Sequence, residues 1–101
     1  MADALRIERV DAAHVRVAGR LGFADAAAAL ERSDELLEGN ASEVALDVGA
    51  LAGIDSATLA VLLAWSARAR IRGTLVRLTE VPAELRALAH LCDAEPLLGI
   101  D

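Results

Sequence analysis

The residues with the most evident chemistry lie at one junction. Asp55-Ser56 falls within Gly49-Ala50-Leu51-Ala52-Gly53-Ile54-Asp55-Ser56-Ala57-Thr58-Leu59, where an apolar strand gives way to an apolar helix. Two readings follow from the side chains. Asp or Ser just before a helix caps the free N–H groups of its first turn, at about 1 kcal/mol. A serine exposed in that first turn can also accept a phosphate. This adds roughly −1.5 to −2 charge where the helix dipole favours it. The fold would survive such a change, but a docked partner would meet a bulky dianion beside Asp55.

No second constellation competes with this one. His14 and His90 stand apart from any acid or nucleophile motif, which makes them structural or incidental. Cys92 is the single cysteine, so an internal disulfide is excluded. It falls on the apolar stripe of a helix, where packing is the expected role. No cluster of ligands has the spacing of a metal site. Gly49 and Gly53 could let backbone amides approach an anion, but Ile-Asp-Ser follows where a phosphate-binding loop has Gly-Lys-Ser/Thr. Asp55 would repel the anion, and the loop has no Lys or Arg. A nucleotide or small-ligand site there is the weakest of the readings.

The elements that position Asp55-Ser56 can be read from periodicity. Leu5–Val10 and His14–Val17 alternate apolar and polar residues. They form a hairpin across Asp11-Ala12-Ala13 that ends at Gly19. Ala24–Glu38 is alanine-rich and stops at Gly39-Asn40, which predicts a helix with Phe23, Ala27, Leu30 and Leu37 along one stripe and Asp25 at its positive end. Glu43–Val48 is a third strand, followed by a loop over 49–56. Ala57–Arg72 is the longest helix, closed by Gly73. Thr74–Thr79 is a fourth strand. A third helix runs from Pro82, in the first turn, to about Leu91 with a stripe of Leu85, Leu88, Ala89 and Cys92. The tail from Glu95 is long enough for a turn or a docking segment. The predicted order is β-β-α-β-α-β-α in one domain over residues 1–101. The class is α/β: a mixed sheet of four strands, with room for a fifth, and helices mainly on one face.

Composition narrows the functional classes. The chain has 101 residues and a net charge of −6, which argues against nucleic-acid binding and against attachment to anionic lipid by charge. All ten basic residues are arginine, and the hydrophobic fraction of 55% includes many alanines, so Leu and Val must supply most of the core. No basic start leads into an apolar run, and no uncharged apolar stretch reaches the ~18 residues of a membrane span. A soluble cytoplasmic domain is the expectation.

The helix after Ser56 has two apolar faces. Leu59, Leu62, Leu63, Ser66 and Ala69 suit the sheet. Val61, Ala64, Trp65, Arg68 and Arg72 lie on the other side, and Trp beside Arg is a common interface pairing. The more ordinary alternative is that Trp65 folds over a sheet edge or packs on another helix.

Together these segments resemble the STAS domain family, named for sulfate transporters and anti-sigma factor antagonists. The matching stretches are Gly19-Arg20-Leu21, Val44–Val48, Ile54-Asp55-Ser56-Ala57-Thr58-Leu59-Ala60-Val61-Leu62-Leu63, Gly73–Leu78 and Leu85–Leu91. The resemblance implies a non-enzymatic interaction domain without a cofactor or metal. Ser56 becomes the phospho-acceptor or partner contact. With the two-faced helix, it implies a partner surface of Asp55, Ser56, Thr58, Val61, Trp65 and Arg68. One branch is similar to the B subunit of the Mla phospholipid-transport ABC system, which binds the ATPase subunit. This would hold the domain at the inner face of the inner membrane without insertion. The other branch is the anti-anti-sigma factor, which binds a serine-kinase anti-sigma factor and is released on phosphorylation. Gly22-Phe23 stands where that branch commonly has an aspartate. Thr58 stands where it has Gly or Ala. Both favour the Mla type.

Overall fold

The computed structural model describes residues 4–100. β1 (Arg6–Asp11) and β2 (His14–Arg20) form the expected hairpin, closed by Asp11, whose side chain accepts the Ala13 N–H at 2.9 Å. β3 (Glu43–Ala52) and β4 (Leu75–Thr79) complete a four-stranded sheet in the order β1-β2-β3-β4. The hairpin pair is antiparallel, and β2–β3 and β3–β4 are parallel. Each parallel pair requires a crossover, and the helical segments supply it.

One sheet face is covered and the other is open. Val15 and Val17 of β2, Val44, Leu46 and Val48 of β3, and Val76 and Leu78 of β4 point into a single core shared with the helices. The alternate residues face outward, as the two-residue period requires. Arg16 pairs with Asp47 at 3.6 Å and Arg77 with Glu43 at 3.5 Å on the open face. A shallow concavity of about 440 Å³ lies there between Val10, His14, Asp47 and Glu80.

Helix α2 (Ser56–Ile71) is the spine of the covered side. Its Leu59, Leu62 and Ala69 are buried, as are Val61 and Trp65 around the helix from them. The predicted 24–38 helix is broken in three: a 3-10 turn at Phe23–Asp25, α1 (Ala26–Glu31) and a second 3-10 turn at Ser33–Leu37. Tertiary contacts override alanine's helix propensity here. Arg32 turns the chain, bonding Glu35 Oε2 at 2.7 Å and the Leu5 carbonyl at 3.1 Å. That bend lets Ala29 reach α2 while Leu36 and Leu37 enter the core. Phe23 leaves its predicted stripe and stands in solvent.

Three further boundaries differ from the sequence reading. β2 runs past Val17 to Arg20, and β3 runs past Val48 to Ala52, because Ala18, Gly19 and Arg20 pair with Ala50, Leu51 and Ala52 after a register shift. Most of the supposed Gly49–Gly53 loop is therefore strand. Pro82 is the N-cap of α3 (Ala83–Leu91) and does not occupy its first turn. Leu85 and Ala89 of α3 are buried, but Cys92 falls just past the helix end and is exposed. The tail forms α4 (Glu95–Leu98), whose Leu98 and the following Ile100 dock into the core.

Candidate functional site

The site is the N-terminal end of α2. Asp55 has extended backbone angles and is the N-cap. Its Oδ1 accepts the Thr58 N–H at 3.0 Å, and Thr58 Oγ1 accepts the Asp55 N–H at 3.1 Å. This reciprocal capping box satisfies donors that the helix itself leaves free. The Thr58 N–H, then those of Phe23 and Ala57 and the Thr58 hydroxyl, hold the Asp55 carboxyl below the usual aspartate range, against a smaller opposing effect of desolvation.

Ser56 is the first residue of α2 and is exposed. The capping bonds run between Asp55 and Thr58, so the Ser56 hydroxyl is not needed for them. Asp55 and Ser56 thus stand together at the surface, as the sequence suggests.

Three residues of the expected partner surface, Thr58, Val61 and Trp65, are buried and cannot present it. Thr58 is 1% exposed, Val61 2% and Trp65 1%. Thr58 serves the cap. Trp65 turns inward, and its indole Nε1–H donates to the buried Ala29 carbonyl at 3.0 Å. The helical wheel shows two apolar faces but not that the 21–42 segment would fold over the second. Arg68 remains exposed, and its Nη1 donates to the Leu30 carbonyl at 2.6 Å and to Ser33 Oγ at 3.0 Å. It holds the two halves of the crossover against α2.

Beside Asp55 lies a neighbour that periodicity misplaced. The Phe23 N–H points at Asp55 Oδ2, 3.5 Å away, and Gly22 lies so close that a Cβ there would be 3.0 Å from the same oxygen. Arg20, Gly22, Phe23, Asp25, Gly53 and Asp55 surround a concavity of about 340 Å³. The only signal in the sequence was the interruption Gly22-Phe23 before the alanine run.

Other candidates resolve simply. The Gly49 N–H is taken by Asp47 Oδ1 at 2.9 Å, so no anion cradle forms there. His14 Nδ1 lies 2.8 Å from Asp11 Oδ1, and His90 Nδ1 lies 3.1 Å from Glu95 Oε1, each an exposed local pair. Among the described residues no group of His, Cys, Asp and Glu could hold a metal ion, and no helix is long and apolar enough to cross a membrane.

A family model described as Mlab, STAS domain, matches residues 5–99. The chain is a STAS domain. Its fold is shared with solved structures. The NMR structure of the protein TM1081 superposes with a TM-score of 0.75 at 18% identity, covering 97% of this chain and 80% of that one. The anti-sigma factor antagonist SpoIIAA in its unphosphorylated form superposes with a TM-score of 0.65 at 15% identity, covering 87% and 83%. At these identities the likeness is one of fold. Among curated proteins, no sequence matches the chain. STAS domains act as protein-interaction modules, and in this one the exposed Asp55-Ser56 end of α2 is the candidate surface.

Proposed function

We propose that this STAS domain is a non-enzymatic accessory subunit that binds the ATPase subunit of an Mla-type ABC phospholipid transporter on the cytoplasmic side of the membrane. The observation that carries the docking point is Ser56: exposed at the first position of a well-capped helix, with its hydroxyl left free of the cap. The Mlab description of the matching family model supports the choice of partner. A second reading rests on the same hydroxyl. Ser56 beside Asp55 suits a phosphorylation switch that controls binding to a serine-kinase anti-sigma factor.

Pull-down and calorimetry of the purified chain against each partner separate the two. The transporter reading predicts retention of the ATPase. Retention of the anti-sigma factor alone, with phosphate incorporated at Ser56, establishes the second reading instead. Ser56→Asp is expected to weaken binding of the true partner at least ~10-fold, ~1.4 kcal/mol, without unfolding the domain. Unchanged affinity places Ser56 outside the interface.

A further inference from the structure

Phe23 is the one phenylalanine of the chain and is 85% exposed. A single apolar residue in solvent is ordinary by itself. The location of this one is not. It sits on a short turn closed by the Asp25 N–H donating to the Gly22 carbonyl at 3.0 Å. That turn lies against the carboxylate that caps α2. One Asp55 oxygen serves Thr58 and the other faces the Phe23 N–H. Gly22 eases the approach, since a Cβ there would sit 3.0 Å from Asp55 Oδ2, a tight contact that the carboxylate would have to relieve. The Phe23 backbone is therefore set beside Asp55, the group that starts the helix and precedes Ser56.

We propose that Phe23 is the hydrophobic anchor of the Ser56 docking surface, inserted into an apolar socket of a partner protein whose rim carries a basic side chain facing Asp25 and Asp55. This rests on the reading of the Ser56 end as the docking point. The choice of a basic rim follows from charge. Phe23 shares its concavity with two carboxylates, Asp25 and Asp55, and one cation, Arg20, in a chain of net charge −6. Rigid aromatic residues are enriched among the few side chains that dominate interface energy. Asp55 acts as a positioning residue. Negative charge placed on Ser56 competes with Asp55 for the first-turn amides and repels its carboxylate, so it disturbs the Phe23 turn as well as the serine itself.

The test uses the full chain. Wild type, Phe23→Ala, Phe23→Leu and Ser56→Asp are titrated calorimetrically against the Mla-type ATPase subunit, and amide exchange is followed on the free proteins. Phe23→Ala is expected to weaken binding at least ~30-fold, the loss typical of an interface hot spot. Phe23→Leu should recover most of that loss. Both variants should melt like wild type, because the ring is solvated. In the free protein, Ser56→Asp should speed exchange of the Phe23 amide severalfold. Failure of wild type to bind the ATPase removes only the transporter reading, and the same series is then run against the serine-kinase anti-sigma factor. Binding of either partner by Phe23→Ala within ~3-fold of wild type overturns the anchor. So does a wild-type chain that binds neither, or a wild-type homodimer that Phe23→Ala dissociates. Unchanged exchange at Phe23 in Ser56→Asp overturns the positioning role of Asp55.

Discussion

Replacing Trp65 with Phe distinguishes a structural indole from a docking one. The side chain is 1% exposed and its Nε1–H donates to the carbonyl of Ala29, itself fully buried. Phe keeps an aromatic ring but removes that donor. The Ala29 carbonyl retains a second partner, the Arg32 N–H at 3.1 Å, so the hydrogen-bond loss falls at the low end, about 1 kcal/mol. The space left by the smaller ring adds about 1 kcal/mol of cavity cost. The sum is about 2 kcal/mol, a large share of the ~5–15 kcal/mol that holds a domain together. For a chain of this size it corresponds to a fall in Tm of roughly 8–16 °C. Far-UV circular dichroism during urea and thermal unfolding measures it, since the variant removes the only tryptophan. A loss below ~0.5 kcal/mol, the scatter of ordinary surface changes, accompanied by weakened partner binding, would refute the reasoning and return Trp65 to the interface.

Other expectations follow from individual contacts. The Asp55 carboxyl is held below its unfolded-state value, so its contribution to stability is complete above about pH 4 and is lost as pH falls through the lower folded-state value. Asp55→Asn still caps the helix at neutral pH, and should flatten the acid limb of a stability–pH profile measured by urea unfolding. An unchanged limb would remove Asp55 from the acid response. Gly99 has φ +67°, and a Cβ there would lie 2.9 Å from Arg77 Cα. Gly99→Ala should cost at least about 1–2 kcal/mol, read as a lower Tm with loss of protection in α4. Exposed Cys92 should react with Ellman's reagent at the rate of a free thiol and leave the circular dichroism unchanged. Protection against the reagent would contradict the helix end described above.

Local pattern determined much of this protein. Alternation made the strands legible, because a sheet covered on one side buries every second residue. The glycine stop and Asp-Ser start framed α2, because caps are bonds between residues three apart. Asp55 and Ser56 were found for the same reason. The tertiary structure decided what lies on the second face of α2. An apolar helix face looks the same to a wheel whether another segment or solvent covers it, and only the bent 21–42 crossover buries Val61 and Trp65 while leaving Phe23 out. Strand extension past Val48 was likewise hidden, since Gly49 and Gly53 signal a loop until β2 offers backbone partners through Arg20. Local residue order sets where α2 begins and puts Asp55 and Ser56 at its start. Long-range packing fixed which side chains a partner can touch, because exposure depends on segments distant in the chain.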